Sequence, residues 1–435
     1  MKGQELYRRA RARIPGGTQL LSKRPEMFLP GQWPSYYSRA EGSRVWDLDG
    51  RCFLDMSYSG IGACVLGYAD PDVNEAVCAA VNAGSMTTLN CPEEVELADL
   101  LCEIHPWAEM ARFTRSGGEA MAVAIRIARA YTGRDKIAFC GYHGWHDWYL
   151  AANLASDDRL EGHLLPGLNP AGVPKNLAGT ALPFRYNCPE ELEDIVHAHG
   201  GELAAVVMEP MRGQQPKDGF LGRVSELARH CGAVFILGEI TAGWRMNSGG
   251  LHLLLGINPD LAVFAKAISN GFPMGAVIGS GRVMQAAQST FISSTAWTER
   301  TGPAAALATI RKHRTLRVSE RLIPSGRQIQ DIWSKGAATA GLPITVSGLP
   351  PLSHFQFDLP DAQACRTLFT QCMLERGFLA TNAFYANFAQ TDEDIAAYGQ
   401  ATAEVFHEIV RAVKEGTVRR LLKGPVAHTG FSRLT

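Results

Sequence analysis

The stretch FILGEITAGWR, residues 235–245, is an apolar run that stops at a glycine and a carboxylate and gives way to a polar turn. Near-continuous apolar runs of this kind are expected of strands covered on both faces of a sheet. Four others share the pattern: KIAFC (136–140), AAVVMEP (204–210), LAVFAK (261–266) and MGAVIGS (274–280). Helical stretches such as EAMAVAIRIARAYTG (119–133) and LGRVSELARHCG (221–232) lie between them. Strands alternating with helices predict an α/β fold with a mostly parallel sheet. Gly238 is the anomaly of the quoted stretch. A glycine inside a buried strand packs nothing and costs roughly 0.5–1 kcal/mol relative to alanine.

Outside this region the pattern changes. SRVWDLDGRCFLDM (43–56) holds two short strand-like runs around the turn Asp49-Gly50. After about residue 305 a long helical stretch precedes ITVSGL (344–349) and SHFQFDL (353–359). The expected organisation is an N-terminal segment over 1–60 belonging to a small domain, a large domain over 61–305, and a smaller α+β domain over 306–435. Pro303 and Pro324-Ser325-Gly326 serve as boundary markers. The opening MKGQELYRRARARIPGG reads as an amphipathic helix ended by Pro15-Gly16-Gly17.

Bulk properties narrow the function classes. The chain has 435 residues, 46% hydrophobic and 20% charged, with a net charge of −1. That balance points to no nucleic acid and no membrane surface as partner. No apolar run reaches membrane-spanning length. Ten cysteines without a C-x-x-C pair predict reduced, buried thiols in a cytoplasmic protein, not disulfides or a zinc site.

Four segments carry the candidate chemistry, and in an open α/β sheet they would meet at the carboxyl ends of the strands. Ser116-Gly117-Gly118-Glu119 opens a helix, so its N–H groups and dipole suit an anion such as phosphate; a plain N-cap explains the same residues. GYHGWHDW (141–148) offers Tyr142 to stack on a flat ligand, or simply a packed aromatic loop. His143, His146 and Asp147 are too close in sequence to suit most metal sites, and no metal is expected. Lys266 ends an apolar strand before a Gly/Pro-rich turn, a setting in which a lysine becomes an imine-forming nucleophile; a snorkelling surface lysine is the other reading. Glu239 reads as an N-cap or turn carboxylate.

In order along the chain stand IPGG (14–17), RAEGSRVWDLDG (39–50), LGYADP (66–71), RSGGEA (115–120), YHGWHD (142–147), MEPM (208–211), GEITAGWR (238–245) and FAKAISNGFPMGA (264–276). Together they resemble the class III aminotransferases, and look closest to glutamate-1-semialdehyde aminomutase and its aminotransferase relatives. The resemblance implies the PLP-dependent transferase fold type I, a large domain with a mostly parallel sheet flanked by helices plus a smaller α+β domain. It implies pyridoxal 5'-phosphate joined to Lys266 through a Schiff base, with the same lysine moving the proton between substrate and cofactor carbons. Ser116, Gly117 and Gly118 would hold the phosphate, Tyr142 and Ile240 would cover the two ring faces, and His143 and Glu209 would lie in the surrounding shell. Gln214 falls near the ring hydroxyl. Thr295 resembles a phosphate ligand donated by a neighbouring subunit, which implies a homodimer with shared active sites. The implied partners are a small-molecule amino donor and a keto acceptor.

The chain departs from the family at the strand end, where an aspartate contacts the pyridine nitrogen and Gly238 stands here. Three accounts stay open: a substitution in an otherwise ordinary enzyme, a variant whose chemistry needs less electron withdrawal, or a protein that binds cofactor without catalysis. Lys23 or Arg24 offers a charge for a substrate carboxylate, while Trp297, Glu299, Tyr385 and Asn387 would suit a hydroxylated, sugar-like substrate. The expected activity is transfer of an amino group to a keto group of a polar metabolite. An aminomutase, or a decarboxylase using the same imine, is the alternative within enzyme chemistry.

Overall fold

The computed structural model describes residues 1–154, 159–161, 167–211, 213–217 and 219–430. They group into two compact units, Met1–Asp70 with Glu320–Thr435, and Pro71–Ser319. The first unit opens with a helix, Lys2–Arg11, and three antiparallel strands, β1 (Tyr37–Glu41), β2 (Arg44–Asp47) and β3 (Cys52–Asp55). The β2–β3 turn passes through Gly50 at φ 84°, a left-handed conformation that favours glycine.

The second unit is built on a sheet of seven described strands: β4 (Met110–Thr114), β5 (Lys136–Cys140), β6 (Ala181–Pro183), β7 (Leu203–Met208), β8 (Val234–Gly238), β9 (Leu261–Phe264) and β10 (Gly275–Gly279). Their spatial order is β4-β10-β9-β8-β7-β5-β6. Every pairing is parallel except those of β10, which runs against both β4 and β9. The continuous apolar runs follow from burial on both faces. Phe139, Val207, Ile236 and Val263 pack with the helix Gly117–Thr132, whereas Ala138, Val206, Phe235 and Leu237 pack with the helix Phe220–Cys231. At roughly 1.5–3 kcal/mol for each large apolar side chain buried, these two layers dominate the unit's stability.

The chain returns to the first unit with β11 (Ile344–Ser347), β12 (Leu352–Phe357), β13 (Phe378–Leu379) and β14 (Ala383–Tyr385). β11, β12 and β14 form one antiparallel sheet, and β13 pairs parallel with β3. Two long helices, Val318–Ala340 and Asp392–Lys414, complete this unit, joined by a bond of 2.9 Å from Trp333 Nε1 to Tyr398 Oη.

Three sequence expectations change. The unit boundaries fall at 70/71 and 319/320 instead of 60/61 and 305/306. Tyr68 exchanges backbone bonds with Gly42, and its hydroxyl bonds Asp55, which ties 61–70 to the first unit. The helix Thr301–Thr315 is tied to the second unit by Lys312–Asp72, Arg311–Glu96 and Arg314–Glu103 ion pairs at 2.7–3.0 Å. Pro303 lies in the first turn of that helix and Pro324 inside Val318–Ala340, so neither marks a boundary. All ten cysteines are free thiols, but only Cys140, Cys365 and Cys372 are buried, and Cys52 and Cys78 are exposed.

Gly275 shows how closely β10 packs against the start of the helix at Ser116. A Cβ there would stand 2.5 Å from Thr114 Oγ1 and 3.0 Å from the Ser116 carbonyl. Gly275→Ala should destabilise the protein by about 1–3 kcal/mol through overpacking, read as a lower urea midpoint; an unchanged midpoint would contradict this packing.

Candidate active site

Parallel strands deliver their following loops to one edge of the sheet, and the second unit gathers its chemical groups there. A cavity of about 300 Å³ is lined by Arg115–Gly118 after β4, Tyr142–Trp145 after β5, Glu209 after β7, Gly238, Ile240 and Thr241 at and after β8, and Ala265 and Lys266 after β9. Phe272, Pro273 and Met274 close it, since the reversed β10 has its entrance on this edge.

Ser116 caps the helix Gly117–Thr132: its hydroxyl accepts the Glu119 N–H at 3.4 Å and donates to Glu119 Oε2 at 3.2 Å. Glu119 Oε2 also accepts the Arg115 N–H at 3.1 Å. The first N–H groups of a helix have no acceptor within it, so Gly117 and Gly118 present donors and the positive dipole end to the cavity. A side chain at either would press on a neighbour. A Cβ on Gly117 would come 3.0 Å from Ile240 Cδ1, and one on Gly118 would come 3.3 Å from His146 Cδ2. Half-buried Arg115 adds positive charge to the lining, although burial lowers its pKa.

Lys266 is half-buried and its Nζ donates to Thr241 Oγ1 at 2.9 Å. Its φ of 53° is left-handed, a conformation costing of order 1–3 kcal/mol in a non-glycine residue that the surrounding fold must impose. Strain of this kind clusters at functional sites. Glu209 is 9% exposed and its Oε2 accepts the Tyr142 N–H at 3.1 Å. Gly141, at φ 98°, makes room for it, because a Cβ there would meet Glu209 Oε2 at 2.6 Å. His143 is buried, with its Nε2 2.9 Å from the Cys140 carbonyl. Gly238 is the last paired residue of β8, opposite Val263 of β9.

Lys266, Ser116, Gly117, Gly118, Tyr142, His143, Glu209, Gly238 and Ile240 thus line one cavity. Gln214 does not: it is exposed on the surface, its Oε1 3.5 Å from Asn187 Nδ2. Thr295 is exposed on the short turn Thr295–Thr298 and also lies outside the lining. Trp297 packs half-buried against the core beneath the helix Gly117–Thr132. Glu299 spends its carboxylate on the Thr301 N–H (2.8 Å) and hydroxyl (2.7 Å), and its carbonyl accepts from Arg115.

The other four candidates belong to the first unit. Lys23 is exposed, and the Arg24 guanidinium lies against Gly16, where a Cβ would come within 2.5 Å of it. Tyr385 donates its N–H to the Ser57 carbonyl at 2.6 Å. Asn387 is 1% exposed; its Nδ2 donates to Ser59 Oγ at 2.9 Å and its Oδ1 accepts from Ser43 Oγ and the Ala389 N–H, both at 3.1 Å. The side chain is a brace for the turn at Ser59 and Ile61, whose φ values of 42° and 58° are left-handed.

The sequence reading missed Thr241, the partner of Lys266, since one hydroxyl in a polar turn gives no periodic signal. It also read Glu239 as a turn carboxylate. Glu239 is fully buried, and its Oε1 accepts from the His252 N–H at 2.9 Å and from His252 Nδ1 at 2.7 Å. Trp107 Nε1 donates to His252 Nε2 at 3.0 Å, which assigns the histidine hydrogen to Nδ1. This chain of bonds fastens the turn that carries Ile240 and Thr241. Among the described residues no cluster of metal-ligating groups is present.

The cavity fits a phosphorylated pyridine aldehyde on its own chemistry. A lysine amine and a two-glycine helix start share it, an aromatic ring and an isoleucine line it, and the lysine itself holds a left-handed backbone. Comparison with known proteins agrees. The family model described as Aminotransferase class-III matches residues 30–337. A 3-aminobutyryl-CoA aminotransferase from Cloacimonas acidaminovorans is 30% identical over 421 residues, covering 94% of this chain and 97% of its own. A glutamate-1-semialdehyde 2,1-aminomutase from Anaeromyxobacter dehalogenans is 35% identical over 430 residues, covering 94% and 98%. The solved structure of the FumI protein of Sphingopyxis sp. MTA144 with PLP superposes with a TM-score of 0.86 at 26% identity, covering 95% and 97%. With a family model over most of its length and relatives spanning nearly all of it, this chain belongs to the class III aminotransferases, fold type I proteins whose cofactor is pyridoxal 5'-phosphate.

Proposed function

We propose that this protein transfers an amino group from a small-molecule donor to a keto group of a polar metabolite, with its rate limited by glycine at position 238. The observation that carries the reading is the shared cavity of Lys266 and the Ser116–Gly118 helix start. Bound there, the cofactor supplies an aldehyde that joins amines and a ring that withdraws electrons. The chain supplies the rest. The Gly117 and Gly118 N–H groups hold the phosphate, Tyr142 and Ile240 confine the ring between them, and Lys266 Nζ, steadied by Thr241 Oγ1, moves the proton at the substrate carbon. Relatives of both kinds, an aminotransferase and a mutase, span nearly the whole chain, and release of a keto acid is what separates the two activities. Asn387 and Glu299, committed to internal bonds, give no support to a sugar-like acceptor.

Gly238 removes the carboxylate expected beside the ring nitrogen. Electrostatic partners of developing charge are commonly worth about 10²–10³ in rate, so slow turnover follows while covalent attachment at Lys266 survives. The active form is a homodimer in which Thr295 serves the neighbouring subunit's phosphate. Its exposure, and the exposure of the apolar side chains Phe291 (83%) and Leu89 (81%) on the same unit, support contact with a second copy.

The purified protein should be yellow, and borohydride should fix the cofactor to the peptide containing Lys266. Lys266→Ala should lose the colour once free cofactor is removed, and a colourless wild-type protein would refute the reading. Gly238→Asp should raise keto-acid release from an amino donor at least about tenfold. A Cβ at that position meets only ordinary contacts of 3.4 Å and beyond, so the variant should fold. Consumption of substrate without any keto acid would identify a mutase. Sedimentation velocity should return a dimer; a monomer that turns over substrate would remove Thr295 from the site.

A further inference from the structure

We propose that the imidazole of His143 is the protein group that faces the ring nitrogen of the bound cofactor, in the notch that the absent side chain at 238 leaves open. The inference rests on the cofactor reading above and concerns which residue meets one edge of the ring. In a pyridine whose aldehyde meets Lys266 and whose phosphate lies on the Gly117 turn, the ring nitrogen is para to the aldehyde-bearing carbon. It therefore points away from the lysine. Gly238 is the last paired residue of β8 and lies opposite Val263, three residues before Lys266, so it borders the cavity from the sheet itself while the lysine stands beyond the strand end.

The groups bordering the notch are known from the contacts a Cβ at 238 would make: His143 Nδ1 at 3.4 Å, His143 Cε1 at 3.5 Å and the Met208 carbonyl at 3.7 Å. The imidazole edge is nearest. His143 is 2% exposed and ringed by Phe139, Trp148 and Tyr149 at 6.0–6.2 Å between centroids, so its orientation is fixed by packing. The Cys140 carbonyl, 2.9 Å from Nε2, can only accept, which assigns a hydrogen to that nitrogen. In the neutral ring Nδ1 is then the acceptor, the character needed to receive an N–H from a protonated pyridine. A neutral acceptor is a weaker partner than a carboxylate, whose charge-assisted bond is roughly twice as strong. His143 thus retains part of the electron withdrawal that an aspartate would give, and the fold keeps a use for the cofactor despite Gly238. Glu209 is the competing polar group of the lining; its Oε2 accepts the Tyr142 N–H, it is not among the nearest neighbours of a Cβ at 238, and the test below separates the two residues.

The test uses the holoenzyme loaded with pyridoxal phosphate carrying ¹⁵N in the ring. In His143→Phe, which keeps the aromatic packing, the ¹⁵N resonance should move toward that of an unprotonated pyridine, and cofactor affinity measured by dialysis should fall about tenfold. Adding Gly238→Asp to this variant should move the resonance back and recover the affinity. His143→Leu, which also removes the acceptor, should give the same resonance shift and serves if the phenylalanine variant does not fold. Borohydride trapping at Lys266 should persist in every variant, and its loss in the wild type would strike the cofactor reading instead. An unmoved ¹⁵N resonance in the His143 variants, or a shift that appears only in Glu209→Gln, would overturn the proposal.

Discussion

Parallel pairing of β5, β7, β8 and β9 is the constraint on which the site depends. Each strand ends at the same edge, so four chain exits, the first at Cys140 and the last at Phe264, open within one cavity. Register then decides what meets what. Cys140 pairs with Met208, Met208 with Leu237, and Gly238 with Val263, which sets Tyr142, Glu209, Gly238 and Lys266 around a common floor. A slip of one residue would turn each strand's apolar faces over. The double-sided burial that gives stability therefore also fixes the chemistry.

Beneath that floor the protein is more polar than a hydrophobic core requires. Glu239 is fully buried, and its Oε1 takes two bonds from His252, which Trp107 holds in turn. Next to it, His105 bonds the Leu101 carbonyl at 2.9 Å and accepts the Gly250 N–H at 3.0 Å, and burial lowers its pKa to about 4. It stays neutral throughout the physiological range. Buried polar groups cost little only when bonded, and here their bonds specify the turn 239–252. The cavity wall at Ile240 and Thr241 is thus positioned by side chains that never touch its interior.

Much of this was legible in the sequence, for physical reasons. Strands buried on both faces leave an uninterrupted apolar signature, and all five runs fall on observed strands, KIAFC coinciding with β5. The Gly-rich helix start and the lysine after an apolar strand were legible because their chemistry is local. Long-range pairings were not. Nothing near Asn387 says that it braces Ser59, 328 residues away, and nothing near Glu239 announces His252. The Pro-Ser-Gly sequence at 324–326 suggested a break, yet the helix runs through it, with Gly326 closed in by the Pro350 carbonyl. Here tertiary packing overrode a local signal.

One feature of the sheet bears on how the lysine is held. The chain leaves β9 at Phe264 and enters β10 at Gly275, and because β10 runs backward the ten residues between them form a hairpin connection with no crossover helix, opened by the single 3₁₀ turn Lys266–Ser269. Lys266 stands two residues past β9, while Phe272, Pro273 and Met274 lead into β10 and line the same cavity. One loop therefore supplies both the amine and part of the cavity wall, so a substitution in its far limb reaches the lysine through the main chain without passing through the sheet.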